Sequence, residues 1–164
     1  MTVWGALAGG FVGTLVLTTM LRGASELRLT RIDLPFLLGT LLVTDRKRAK
    51  SVGYILHFLF GFTFALGYFA IFSAIGRSGW LLGAALGLAH GAFAGTALVN
   101  ILLPVVHPRM GNPMSAADSV SLLEPPGFLM MNYGRRTPVV VLLAHVAYGT
   151  IVGGFVAMSV NATS

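Results

Sequence analysis

Apolar residues fill four long segments of the chain, residues 3–21, 52–75, 80–103 and 138–158. A helix needs about 20 residues, at ~1.5 Å each, to cross the hydrocarbon core of a bilayer, and each segment is close to that length. Only residues 76–79 separate the second segment from the third, which indicates a tight turn. The pattern therefore predicts an all-α membrane protein with four transmembrane helices, forming one polytopic domain over all 164 residues.

Two shorter apolar pieces, residues 32–43 and 122–131, lie in the long connections that follow the first and third segments. Both contain proline and an acidic residue, and both are too short to span a bilayer. Asp33 is a good N-cap for a helix that begins near Pro35. We expect the two pieces to form short helices that lie along the membrane interface or dip into it as re-entrant segments.

Composition and charge distribution support a membrane protein and predict its orientation. Charged residues make up 10% of the chain and hydrophobic residues 55%, whereas a soluble domain carries roughly 25% charged residues. Ten of the eleven basic residues fall in the two long connections, and only Arg77 lies elsewhere. Because basic loops stay in the cytoplasm, we expect both termini outside it, in a bacterial inner membrane. The net charge of +6 then requires no nucleic acid, and the lack of cysteine excludes disulfides and thiolate metal sites.

The two halves of the chain share features at constant offsets. At an offset of 82 residues the first segment matches the third, and at 88 residues the second matches the fourth. The matched pairs are Gly5 with Gly87, Gly9 with Gly91, Gly13 with Gly95, Thr14 with Thr96, His57 with His145 and Gly61 with Gly149. We therefore predict two tandem helical hairpins, residues 1–75 and 80–158, related by an axis along the membrane normal. The alternative is chance similarity between glycine-rich segments.

Glycines recur every fourth residue inside the segments and are predicted to let helices approach closely, since small residues favour association in lipid. The predicted packing positions are Gly9, Gly13, Gly83, Gly87, Gly91, Gly95, Gly149 and Gly153. We expect the third-segment row to face its counterpart in the first segment within one bundle. A homo-oligomer contact, or a contact with a partner in a membrane complex, is the alternative.

Polar side chains inside the segments are the candidate functional residues, because they are costly in lipid and usually face the bundle interior. His57 and His145 lie roughly 8–10 Å inside the predicted cytoplasmic boundary, counted at ~1.5 Å per residue. Thr18 and Asn100 reach about the same level, so the four are predicted to form one polar belt. His90 is expected nearer the outer leaflet, where no partner for it is evident.

This belt is compatible with three functions, and no catalytic residue is predicted. Because histidine can change its charge near neutral pH, the belt could handle protons or a small solute in a non-enzymatic protein. The belt could instead only hold together a structural or accessory subunit that packs through its glycine faces. In the third alternative His57 and His145 ligate haem or a divalent metal, although no carboxylate or thiolate lies inside a segment to complete a ligand shell.

The run His57-Phe58-Leu59-Phe60, followed by residues 64–68, resembles the YagU-like bacterial inner-membrane proteins. The likeness continues through Trp80 and the Gly83/Gly87 spacing to Pro104 and residues 110–113, about the middle third of the chain. The resemblance implies a small multi-span inner-membrane protein with a histidine in a helix. It implies no particular activity, cofactor or partner.

Overall fold

The computed structural model describes residues 1–110 and 123–161, without the side chains of the last two. Regular structure in these ranges is helical, apart from a single bridge between Met110 and Leu123. The elements are α1 (Val3–Glu26), α2 (Leu34–Gly39), α3 (Arg46–Ile75), α4 (Trp80–Phe93), a π-helical segment (Ala94–Leu102), α5 (Leu103–Val106), a 3-10 helix (Phe128–Tyr133) and α6 (Thr137–Asn161). Residue 122 of the second short apolar piece lies outside the described ranges.

Four helices are long and apolar enough to cross a membrane, which confirms an all-helical membrane protein of four candidate spans. They are α1, α3, the continuous stretch Trp80–Val106, and α6. All four are longer than the apolar pattern alone predicted, most of all α1, which continues to Glu26, and α3, which already begins at Arg46. Basic residues form helices well, and the Asp45 carboxylate caps α3 by accepting from the Arg48 amide at 2.9 Å.

The start of α1, the end of α6 and the turn at residues 76–79 share one end of the bundle. The Thr2 amide donates to the Ser159 hydroxyl at 3.0 Å, and the Gly79 carbonyl lies directly against Gly153. The described parts of the two long connections, which carry ten of the eleven basic residues, therefore lie at the opposite end, which we call the basic end. Which end faces the cytoplasm stays a prediction.

Helix α6 is the central helix of the bundle, since both α1 and α4 pack along it, while α3 packs on α2 and α1. Its buried apolar side chains repeat every three or four positions and form one face: Val141, Ala144, Tyr148, Val152 and Val156. Gly83 lies against the Gly149 carbonyl, and a side chain at either position would collide with backbone of the other helix. The expectation that the third-segment glycines face the first span is therefore wrong, because Gly83, Gly87 and Gly91 face α6.

The packing does not reproduce the predicted internal repeat. Gly5 and Gly9 of α1 lie against Ser159 and Phe155 of α6, across the two halves of the chain. An axis relating the halves would turn the equivalent Gly87 and Gly91 towards α3, whereas they contact residues of α6 within their own half. The glycine contacts of the two halves are thus not equivalent, although each half packs its own two spans together. The repeat itself stays a prediction.

The first short apolar piece forms α2, and its start agrees with the sequence. Asp33 caps it by accepting from the Phe36 amide at 3.2 Å. Helix α2 lies flush against α3, because a side chain on Gly53 would overlap the Pro35 carbonyl. Its position in the membrane interface stays a prediction.

The start of the second long connection, at His107 and Arg109, is hydrogen-bonded to the C-terminal end of α2. The Arg109 guanidinium donates to the carbonyl groups of Thr40 and Val43. His107 Nδ1 accepts from the Arg109 amide at 3.2 Å, so its Nε2 carries the proton and donates to the Leu37 carbonyl at 3.1 Å. Burial lowers the pKa of His107, which keeps the ring neutral in this position.

Candidate functional site

A cavity of about 460 Å³ lies at the basic end, between α1, α2 and α3. Its neutral polar lining comes from Thr18, Ser25, Tyr54 and His57, and its charged lining from Arg22, Glu26, Asp33 and Lys50. Leucine, isoleucine and proline side chains complete the wall. The space is large enough for several water molecules or one small organic solute.

The charges of the cavity are balanced in pairs. Arg22 Nε lies 3.1 Å from Glu26 Oε1, and Lys50 Nζ lies 2.7 Å from Asp33 Oδ2. All four side chains are well exposed, so the pairs contribute little to stability but cancel the formal charge of the lining. The cavity therefore suits water and neutral or zwitterionic polar molecules better than an isolated anion or cation.

His57 lines this cavity with one ring nitrogen fixed by Thr18. The Thr18 hydroxyl donates to the Thr14 carbonyl at 2.6 Å, so its oxygen must accept from His57 Nδ1 at 3.2 Å. This network assigns the proton to Nδ1 and leaves a lone pair on Nε2. No described residue hydrogen-bonds that Nε2. The predicted association of Thr18 with His57 is present in the structure.

His145 and His90 form a second pair, with ring centroids 4.7 Å apart and planes at 78°. His145 Nδ1 donates to the Val141 carbonyl at 2.8 Å, which again leaves Nε2 as the acceptor nitrogen. The expectation that His90 lies apart from the other histidines is wrong. Counting depth from the span boundaries failed because Gly83 of α4 lies opposite Gly149 of α6, which brings position 90 to the level of position 145.

The two pairs lie at about the same level of the bundle, because Tyr148, one turn after His145, donates to the carbonyl of Gly61, one turn after His57. Three predicted residues, His57, His145 and His90, therefore form one group inside the bundle. His90 also stacks on Phe64 of α3, at a centroid distance of 3.9 Å. This ring contact joins α4 to α3, whose backbones are not in extensive contact.

Asn100 does not join this group. Its Nδ2 donates to the Gly95 and Thr96 carbonyls of its own helix, at 3.0 Å each. These carbonyls belong to the π-helical segment, whose wider turn loosens the regular backbone ladder and frees acceptors for a side-chain amide. The predicted four-residue belt is therefore wrong at Asn100.

Two tyrosines complete the buried polar group, and the sequence analysis missed both. Tyr148 donates from its hydroxyl to the Gly61 carbonyl at 2.5 Å and joins α6 to α3. The Tyr68 hydroxyl lies 3.3 Å from His90 Nδ1. The signal was available, because Tyr148 follows His145 by three residues and so shares its helix face.

The predicted packing glycines contact residues of the same chain. Gly9 and Gly13 lie against α6, at Phe155 and Tyr148. The rows on α4 and α6 face each other, and Gly95 contacts Leu129 of the 3-10 helix. The positions so placed are Gly9, Gly13, Gly83, Gly87, Gly91, Gly95, Gly149 and Gly153. These glycines pack the bundle internally.

The histidine group does not complete a ligand shell for a divalent metal. Within residues 1–110 and 123–161, no set of three or more His, Cys, Asp or Glu is placed to hold a metal ion. Haem ligation by His57 and His145 stays a prediction.

Together, the fold and the site define a small all-helical membrane protein with a polar, histidine-containing cavity at its basic end. Comparison with protein-family models, with curated protein sequences and with solved structures gave no match to this chain. The resemblance to YagU-like proteins stays a prediction, and residues 111–113 of it lie outside the described ranges.

Proposed function

We propose that this chain is a non-enzymatic integral membrane protein that admits water and a small polar solute from its basic end to His57, where a proton is exchanged. The observation that supports this most directly is the position of His57, a residue of a candidate membrane span, in the lining of a cavity of about 460 Å³. An intramembrane ionisable residue is costly unless it serves a purpose or is fully paired.

The chemistry of His57 suits proton exchange. Thr18 holds Nδ1–H in place, so Nε2 is the basic nitrogen available to a proton or a hydrogen-bond donor. The balanced ion pairs Arg22–Glu26 and Lys50–Asp33 favour neutral or zwitterionic solutes at the mouth.

Tight packing beyond His57 favours a site that is open to solutes at one end only. Thr14 and Ala65 are fully buried there, and a side chain on Gly61 would overlap the Thr14 hydroxyl. A proton needs less room than a solute and can pass between hydrogen-bonding groups. His145, His90 and Tyr68 would then extend the proton's range further into the bundle.

The proposal includes the orientation and the location. Ten basic residues at the cavity end favour its exposure to the cytoplasm of a bacterial cell, by the positive-inside rule. The solute would accordingly be a cytoplasmic one.

The lack of cysteine in the chain allows a direct test by thiol accessibility. We would place single cysteines at Tyr54 and Ser25, which line the cavity, and at Leu59, whose side chain is exposed on the outside of α3. Membrane-impermeant methanethiosulfonate would be applied to membrane vesicles with the basic end outward. We expect rapid reaction of Tyr54→Cys and Ser25→Cys and little reaction of Leu59→Cys, because thiolates form only where water reaches.

Equal rates at all three positions would contradict a water-filled cavity. A second arm uses Thr18→Cys, whose reaction should fall when Ser25 is also replaced by tryptophan, since the larger ring would fill the cavity. Unchanged labelling of Thr18→Cys in that double variant would also reject the proposal.

A further inference from the structure

Three exposed arginines near the end of α1 and the start of α6 form no ion pair with a described residue: Arg28, Arg135 and Arg136. The ion pairs in that part of the chain use Arg22, Arg31 and Lys50 instead. Arginine presents five donors in a fixed fork and is suited to phosphate oxygens. We call these three residues the arginine cluster.

Hydrogen bonds between two chain segments bring the cluster together. The Arg31 amide donates to the Tyr133 carbonyl at 2.7 Å, and the hydroxyls of Thr30 and Thr137 are 2.7 Å apart. Thr30 and Thr137 are buried, so this junction between the end of α1 and the start of α6 is fixed. The arginines flank the junction on both segments.

The backbone at Arg28 gives a further sign that its position is specified. Its φ is +58°, in the left-handed region that costs an L residue roughly 1 kcal/mol or more. The turn directs the chain from the end of α1 back towards residue 133. Glycine would adopt this conformation without cost, whereas arginine adopts it here at a local penalty.

Exposed apolar side chains lie near the cluster arginines along the chain. Leu27 is 72% exposed beside Arg28, and Phe128 and Met131 are 63% and 47% exposed shortly before Arg135. Large apolar residues next to arginines, at the end of spanning helices, fit the boundary between headgroups and acyl chains. A soluble partner that bound only the arginines would leave these side chains in water.

We propose that the arginine cluster binds the phosphate-bearing headgroup of an anionic phospholipid, with Leu27, Phe128 and Met131 against its acyl chains. Anionic lipids are attracted to basic residues near the membrane surface by about 1 kcal/mol per residue. The site differs from the cavity, whose charges are internally balanced. It would fix a specific lipid at the junction of α1 and α6.

The test measures the equilibrium binding of phosphatidylglycerol and phosphatidylcholine to the full chain in detergent, by native mass spectrometry. We expect tighter binding of phosphatidylglycerol to the native protein. The double variant Arg135→Gln/Arg136→Gln should bind it about 30-fold more weakly, the equivalent of about 1 kcal/mol for each arginine. Binding of phosphatidylcholine should not change.

The matched control is Lys47→Gln/Arg48→Gln, which removes the same charge from exposed positions at the same end. We expect it to retain most of the phosphatidylglycerol affinity. Equal losses of affinity in the two double variants would show only a general attraction between basic residues and anionic lipid, and would overturn the proposal. No preference for phosphatidylglycerol in the native protein would also overturn it.

Two further arms separate the remaining outcomes. Competition by inorganic phosphate would indicate a site for soluble anions and would reject a lipid site. If Arg135→Gln/Arg136→Gln loses helix content, Arg28→Gln carries the test, with an expected loss of about fivefold. In that case an unchanged affinity of Arg28→Gln would count against the proposal.

Discussion

The Thr18 hydroxyl accepts a hydrogen bond from His57 Nδ1, at 3.2 Å, and so determines which nitrogen of the imidazole is basic. The two residues are on different helices, α1 and α3. Their contact therefore joins two spans and sets the tautomer of the group that lines the cavity.

Replacement of Thr18 by valine should destabilise the bundle by about 1 kcal/mol, because His57 loses its acceptor inside the membrane. The matched control is Thr19→Val, since the Thr19 hydroxyl only donates to Leu15 of its own helix. The free energy of unfolding in mixed detergent and denaturing micelles measures the difference. Equal effects of the two variants would show that the Thr18–His57 contact contributes no stability.

The close contact of α4 and α6 should be sensitive to a single methyl group. Gly83→Ala places a carbon against the Gly149 carbonyl and should cost about 2 kcal/mol through overpacking. Gly67→Ala is the control, because nothing lies within 4 Å of its added carbon, and it should stabilise α3 by up to about 1 kcal/mol. Opposite signs in thermal unfolding are the expected result, and a stabilising Gly83→Ala would contradict the packing.

Thiol labelling from the two sides of the membrane should distinguish the two ends of the bundle. We expect Lys47→Cys to react with an impermeant maleimide only in inside-out bacterial vesicles. Arg77→Cys, in the turn at the opposite end, should react only in right-side-out vesicles. Reaction of both from the same side would exclude the arrangement of four spans, and a reversed pattern would exclude the predicted orientation.

The stability of the basic end should fall in mild acid because of His107. Burial lowers the pKa of His107 below its usual 6.5, so the folded state resists protonation more than the unfolded state does. The contribution of neutral His107 to the free energy of unfolding is fully present above pH ~6.5. It is lost as the pH falls from there towards the lower pKa of the folded state. A protonated ring could no longer accept from the Arg109 amide and would stand beside a guanidinium.

The measurement compares unfolding of the native chain and of His107→Gln at pH 7.5 and 5.5. We expect a smaller pH effect in the variant, which has no imidazole at that position. An equal pH effect in both proteins would assign the dependence to other groups.

The four spans were predictable because each is a long apolar run, and a run of that length has few alternatives to a membrane helix. The Asp33 cap was predictable for a similar reason, since a carboxylate followed two residues later by proline specifies a helix start locally. The association of Thr18 with His57 also followed from depth alone, because both lie near the same end of their helices.

The other contacts of the site depend on how the helices are shifted and ordered in the bundle, and neither composition nor depth along a span predicts this. Whether His90 meets His145 depends on how far α4 and α6 are shifted along one another. That shift is set by how their glycine rows pack together, which the sequence of neither helix specifies. Asn100 failed as a belt residue because a π-helical turn offered it nearer acceptors. The partner helix of each glycine row depended on the order of helices around the bundle, and that order is a tertiary property.

The central position of α6 has a consequence for how the protein is made. A chain emerges from the ribosome from its N-terminus, so α1 and α4 enter the bilayer before the helix that both of them contact most. Until α6 is inserted, their glycine rows face lipid. For α1 this lasts through the synthesis of more than a hundred further residues. Assembly of this bundle is thus delayed until α6 has been inserted, and a chain that stalls before residue 137 would present two uncovered rows to other helices in the membrane.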